Sequence, residues 1–266
     1  MRNFGPVGII GFGVFGRFMA EQLSPHTAVV VSSRTANSHE VEAAGARLVS
    51  FSEAAAQPVV VPSVPVQNLE AVLERMVPHL RPGALVADVS SVKTVPVELM
   101  KRILPADCEI LATHPLFGPQ SGAGGIKGLP MVVWPERMGD ARLSRIQTFL
   151  TGTLGLDVKV ISPGEHDKEM AYVQALTFFL GKALGDINIP DTPLKTKTYQ
   201  HLLDVKRIVR GDSPELFETI QHFNPYAEGV RELFTDRLDR IEAELMGVER
   251  QRSTADTAAT LPQLLN

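Results

Sequence analysis

A histidine, His114, closes the run EILATHP (109–115), where an apolar segment gives way to the Gly- and Pro-rich loop LFGPQSGAGG. An imidazole with its ordinary pKa of about 6.5 can accept a proton at neutral pH. A second apolar run ends in DVSSVKT (88–94) and offers Ser91 and Lys93. Polar groups at the mouths of successive strands would meet on one rim, as acid–base chemistry requires. Upstream, GFGVFG sets Gly11, Gly13 and Gly16 in the order GxGxxG, between an apolar strand and a helical pattern. In that context the first glycine makes a tight turn, the second admits a pyrophosphate, and the third packs helix on strand. The free N–H groups of the helix start then face the phosphates.

The expected cofactor set is Gly11, Phe12, Gly13, Val14, Phe15 and Gly16 in the loop, with Ser63, Val64, Pro65 and Ser90 on neighbouring rims. NAD-selective sites place an acid at the end of the second strand, to bond the ribose 2′-hydroxyl. Here that strand ends in VVVSSRTANS, where Ser32, Ser33, Arg34 and Thr35 supply donors and a positive charge instead. That set suits a 2′-phosphate, so NADP is expected, with NAD the alternative.

The elements behind these residues are short apolar strands: VGIIG (7–11), AVVVSS (28–33), PVVVP (58–62), ALVADVS (84–90), EILAT (109–113), PMVVWP (130–135) and DVKVIS (157–162). They alternate with helical patterns such as NLEAVLERMVPHL, and a further helix is expected over 137–151. Runs apolar throughout are strands covered on both faces, as in a doubly wound α/β sheet. After Ser162 only helical patterns remain, over about 164–185, 193–210, 213–222 and 225–248. In the last, Val230, Phe234, Leu238, Ile241, Leu245 and Val248 form an apolar seam that serves either the chain's own core or a second copy. The expected division is a dinucleotide-binding domain at 1–162, a helical substrate and dimerisation domain at 163–250, and a frayed tail at 251–266.

At these residues the sequence resembles the prephenate/arogenate dehydrogenases (cyclohexadienyl dehydrogenases). The resemblance runs from GFGVFG through DVSSVK, HPLFGPQSG and EHDKEMAYVQAL to KRIVRGDSPELF, about residues 5–245. It implies a Rossmann-type, mostly parallel sheet followed by an all-helical domain through which the chain forms a homodimer. It also implies oxidation of a cyclohexadiene bearing a 4-hydroxyl, hydride transfer to NAD(P)+ and loss of the ring carboxylate as CO2. His114 would take the hydroxyl proton, Ser91 would hold hydroxyl and histidine, and Arg207 would bind the ring carboxylate. His166, Asp167 and Gln174 would line the site. The family commonly carries a second histidine twelve residues after that of HD, aimed at the substrate, and this chain has Phe178 there. Prephenate, arogenate and 4-amino-4-deoxyprephenate stay open as substrates. The chain is expected to be the dehydrogenase unit alone, without a mutase or regulatory segment.

Other classes fit less well. A β-hydroxyacid dehydrogenase needs an asparagine four residues after its catalytic lysine, whereas Lys182 is followed by Asp186 and Lys168 by Tyr172. A cofactor-sensing protein without turnover would not need His114, Ser91 and Arg207 together. A formal charge of −4 gives no electrostatic reason to expect nucleic acid or an anionic membrane as partner. The single cysteine, Cys108, cannot form an internal disulfide, and no Cys/His spacing suits zinc. No apolar run approaches the roughly 20 residues of a membrane span. A cytoplasmic location without metal is therefore expected.

Overall fold

The computed structural model describes residues 5–259, with side chains described as far as Gly247. Its strands are β1 (Val7–Ile10), β2 (Val29–Ser32), β3 (Arg47–Leu48), β4 (Val59–Pro62), β5 (Leu85–Ala87), β6 (Glu109–Pro115), β7 (Pro130–Arg137) and β8 (Asp157–Val160). They form one sheet in the order β3-β2-β1-β4-β5-β6-β7-β8. Every neighbouring pair is parallel except β6 and β7, which run antiparallel on either side of the Gly-rich loop. Seven of the strands are those the sequence predicts. Only β3 is additional, and its two residues carry no apolar run to betray it.

Between the strands lie α1 (Val14–Leu23), α2 (Ser38–Ala43), α3 (Phe51–Ala55), α4 (Leu69–Met76), α5 (Thr94–Ile103) and α6 (Asp140–Thr148). The strands bury alternate residues on opposite faces. Ile9, Val31, Val61, Ala87 and Leu111 pack under α1, α2 and α6, against Phe18, Val41 and Ile146. Ile10, Val60, Val86 and Ile110 pack under α3, α4 and α5, against Ala54, Leu73 and Met100. Each fully buried Val, Leu or Ile side chain is worth about 1.5–3 kcal/mol, which is why the strands read as unbroken apolar runs.

After β8 the chain is helical: α7 (Pro163–Met170), a π-helical turn (Ala171–Leu176), α8 (Thr177–Asp186), α9 (Lys197–Gly211), α10 (Pro214–Phe223) and α11 (Ala227–Ala259). Their starts follow capping chemistry. Ser162 opens α7 in a capping box with Glu165, Thr196 opens α9, and Ser213 precedes Pro214 at the head of α10. A small core of Ala175, Phe178, Val209, Ile220 and Ala227 joins α8–α11 and the π turn.

The backbone of α11 runs to Ala259, beyond the expected end near 248, through ADTAA, whose alanines favour helix. Residues 260–266 of the expected frayed tail lie outside the described residues, as does the Val248 side chain. Of the predicted seam, Val230 is buried, Phe234 is half-buried, and Leu238, Ile241 and Leu245 are exposed. Among the described residues no helix is long and apolar enough to cross a membrane.

Candidate active site

The chain leaves β1 for β2 on one side and returns through β4 on the other, so a crevice opens at the carboxyl ends of β1 and β4. Ligands of doubly wound sheets bind at this switch point. The glycine loop lies there. Gly11 has φ +107°, and a Cβ on it would stand 2.2 Å from the Ser63 carbonyl oxygen. A Cβ on Gly16 would stand 2.4 Å from the Gly11 oxygen, so the third glycine lets α1 close on β1. Gly13 differs: no atom lies within 4 Å of a Cβ built there. It is the N-cap of α1 and supplies no side-chain cap. The first-turn N–H groups, which have no intrahelical acceptor, are left for an anion. Open space at Gly13 over uncapped amides fits a pyrophosphate.

The rest of the expected cofactor set divides. Val14 is exposed, and Ser63 and Val64 pack beside Gly11 at the end of β4. Pro65 and Ser90 sit on adjacent rims, the Ser90 amide donating to Asp88 Oδ2 at 2.9 Å. Phe12 and Phe15 instead pack on the sheet core. Phe15 lines an apolar cavity of about 680 Å³ between α1, α6 and the sheet, so its ring faces away from the crevice. At the end of β2, Ser33 Oγ accepts from the Thr35 and Ala36 amides, while Arg34 and Thr35 are exposed. The next carboxylate, Glu40, closes the capping box of α2 with Asn37. No acid stands between the end of β2 and Glu40.

At the end of β6, His114 is 4% exposed. Its Nδ1 lies 2.8 Å from His166 Nε2, and His166 Nδ1 lies 2.8 Å from Asp167 Oδ1. Asp167 in turn accepts from the Lys93 and Thr94 amides, each at 2.8 Å, at the start of α5. Beneath them Lys93 Nζ is buried between Asp88 Oδ2 and the Thr113 carbonyl. Asp88 Oδ1 also accepts from the Thr113 amide at 3.1 Å, which ties β5 to β6 at the histidine. Asn224 Nδ2 donates to the Asp167 carbonyl at 2.8 Å, fixing the start of α7 from the corner between α10 and α11.

Burial, reinforced by His166 and by the Lys93 ammonium, holds the His114 pKa well below the usual histidine value. Burial also lowers Lys93, against the opposing pull of Asp88. For Asp167 burial acts upward, but hydrogen bonds from His166, Thr94 and Lys93 outweigh it and keep the carboxyl below its ordinary value. The ring of His114 is thus neutral at pH 7 and Asp167 is ionised. Among the described residues His114 Nε2 has no partner, yet it is not sealed. Among the described residues the buried side-chain N and O atoms without a partner are Thr94 Oγ1 and Gln174 Oε1.

Of the other residues singled out in the sequence, Ser91 is half-buried on the loop after β5, and among the described residues its hydroxyl has no side-chain partner. Gln174 sits half-buried in the π turn. Phe178 is 8% exposed and belongs to the core of the helical region. A π turn lies between Asp167 and Phe178. One extra residue in a turn rotates everything beyond it by about 100° relative to a straight helix. Arg207 is not gathered to His114. It is exposed on α9 and pairs with Asp204 at 3.1 Å. The end of that helix does reach the His114 loop, since a Cβ on Gly211 would stand 2.8 Å from Gln120 Nε2.

Asp88 and Asn224 were not foreseen as part of the site. Asp88 left a signal, being an acid inside the apolar strand ALVADVS, where burial demands a partner. Asn224 left none. Among the described residues no group of His, Cys, Asp and Glu gathers to hold a metal ion.

Residues 23–153 match the family described as prephenate dehydrogenase, nucleotide-binding domain, and residues 183–257 match the TYRAAT1-like, C-terminal domain. Two chloroplastic arogenate dehydrogenases of Arabidopsis thaliana are each 33% identical to this chain over 91% of its length. The match spans 39% of arogenate dehydrogenase 1 and 70% of arogenate dehydrogenase 2. The crystal structure of Aquifex aeolicus prephenate dehydrogenase with hydroxyphenyl propionate and NAD+ shares the fold at a TM-score of 0.70. It is 19% identical, and the alignment covers 96% of this chain and 95% of that one. With its glycine loop at the switch point and a neutral histidine at the end of β6, the chain belongs to the prephenate/arogenate dehydrogenase family.

Proposed function

We propose that the chain catalyses NAD(P)-dependent oxidative decarboxylation of a prephenate-type cyclohexadiene to an aromatic product. The observation that carries this reading is His114: buried, neutral, bonded through Nδ1 and unpartnered at Nε2. The bound nicotinamide supplies the hydride acceptor. As hydride leaves the ring carbon that bears the hydroxyl, His114 Nε2 takes the hydroxyl proton and the C–O bond becomes a carbonyl. The bond to the ring carboxylate then breaks, CO2 departs, and its electron pair completes the aromatic ring. The oxygen, now a phenolate, recovers its proton from His114. The proton is borrowed and returned, so one base serves both halves of the reaction.

Ser91, half-buried on the adjoining rim, would hold the hydroxyl, and Gln174 of the π turn would meet the substrate. Arg207 remains the candidate for the ring carboxylate. Its present bond to Asp204 is an exposed ion pair worth about 0–1 kcal/mol, which a buried substrate carboxylate can displace. We assign NADP as the preferred cofactor. Arg34 and Thr35 are exposed at the end of β2, and the next carboxylate along the chain, Glu40, is committed to α2. A homodimer through the helical domain is part of this reading, supported by the exposed Leu238, Ile241 and Leu245 on α11. So are the division of the chain near Ser162 and a cytoplasmic site of action. The test is turnover of prephenate, arogenate and 4-amino-4-deoxyprephenate with NAD+ and with NADP+. Reduced cofactor and CO2 from any of the three support the reading. Tight cofactor binding without turnover of any would overturn it in favour of a sensor.

A further inference from the structure

We propose that His166 and Asp167 are positioning residues that fix the tautomer of His114, holding its proton on Nδ1 so that Nε2 is the base. This rests on the reaction proposed above. The argument runs along one file of hydrogen bonds. Asp167 is fixed by two backbone amides of α5, at 2.8 Å each. As a carboxylate it only accepts, so the His166 Nδ1 lying 2.8 Å away carries a hydrogen. A neutral His166 then has a bare Nε2, which must accept from the His114 Nδ1 at 2.8 Å. The His114 proton is thereby placed on Nδ1, and its lone pair on Nε2 meets no partner among the described residues.

Charge supports the same assignment. Lys93, Asp88 and Asp167 are buried together and sum to one negative charge when both imidazoles are neutral. A proton arriving at His114 brings the cluster to neutrality, and the file to Asp167 stabilises the imidazolium among these buried groups. The groups facing the pair are Lys93 and Asp88 from the β5–α5 side and Asp167 from α7.

Asp167 also caps α5, so loss of activity on its removal would not by itself separate positioning from folding. In Asp167→Asn, an NH2 group turned toward His166 leaves the amide oxygen to Thr94 alone, removes the acceptor of the Lys93 amide, and reverses each donor and acceptor along the file. The measurement is the 15N–1H correlation spectrum of 15N-histidine-labelled full chain, with His114 assigned by its loss in His114→Asn. The wild type should show His114 protonated on Nδ1, and Asp167→Asn should show it protonated on Nε2. Protonation on Nε2 in the wild type, or no change in the variant, overturns the proposal. In turnover, Asp167→Asn should lower kcat by about 10²–10⁴-fold with KM within a few-fold, as expected for a base held in the wrong tautomer. If Asp167→Asn does not fold, His166→Gln, which keeps an acceptor for His114, should retain at least tenfold more activity than His166→Leu. Equal rates overturn the proposal. Should the wild type turn over no cyclohexadiene, the reaction assignment fails, while the spectra still decide the tautomer.

Discussion

A buried imidazole works as a base only if it is neutral before it acts and its charge is stabilised afterwards. His114 meets the first condition through burial and the neighbouring Lys93, and the second through the line to Asp167. His114→Asn should therefore lower kcat by roughly 10²–10⁴-fold, measured as cofactor reduction under saturating substrate. A loss of less than about threefold would remove the ring from the chemistry. The depressed pKa also sets a pH response. In the unfolded chain the ring binds a proton as pH falls through about 6.5, whereas in the folded chain it resists. The unfolded state thus gains protons first, and stability present above pH 6.5 declines as pH falls toward the folded value. Thermal melts between pH 8 and pH 5 should show Tm falling on the acid side, with a shallower fall in His114→Asn. Asp167, whose pKa is also held down, adds its own loss at more acidic pH.

At the scale of elements, the three glycines of the β1–α1 turn have separable duties. Gly11→Ala meets a positive φ and the Ser63 carbonyl, and should destabilise by about 1–3 kcal/mol or more. Gly13→Ala meets open space. It should leave Tm nearly unchanged while raising the cofactor Kd about tenfold, close to 1.4 kcal/mol, as read by titration with NADP+. Equal effects of the two variants on Tm would contradict this division. Phe178 belongs with the elements too. Placing the family's histidine there, Phe178→His, puts a polar ring into an apolar core and should cost about 1–3 kcal/mol, with no gain in substrate binding. A lower KM without loss of stability would return position 178 to the pocket.

Across the whole molecule, hydrogen bonds join the helical region to the sheet side: the Lys93 and Thr94 amides donate to Asp167 of α7, and Gln67 Nε2 donates to the Glu215 carbonyl. Asn224 grips the start of α7, and Thr219 Oγ1 lies 3.2 Å from Gln67 Oε1 in the turn after β4. The outer stripe of α11 has no such cover. Ile241→Glu combined with Leu245→Glu should convert a dimer to a monomer in sedimentation velocity, because two charges cannot be desolvated across an apolar seam. An unchanged sedimentation coefficient would move the interface elsewhere.

The sequence by itself determined the sheet, the glycine turn after β1 and the place of His114 at a strand end. Strands buried on both faces must be apolar at every position, a glycine turn must follow β1, and HPLFGP sits at a strand end whatever the distant packing. Tertiary structure alone decided what depends on where separate segments meet. The file from His114 to Asp167, the grip of the Lys93 amide on Asp167, and the hold of Asn224 on α7 join residues up to 74 positions apart. No local period records such contacts. The phase of α8 was equally hidden, since a π turn breaks the 3.6-residue repeat from which a face is counted. Phe178, which the family resemblance put beside the substrate, is 8% exposed in the core of the helical region.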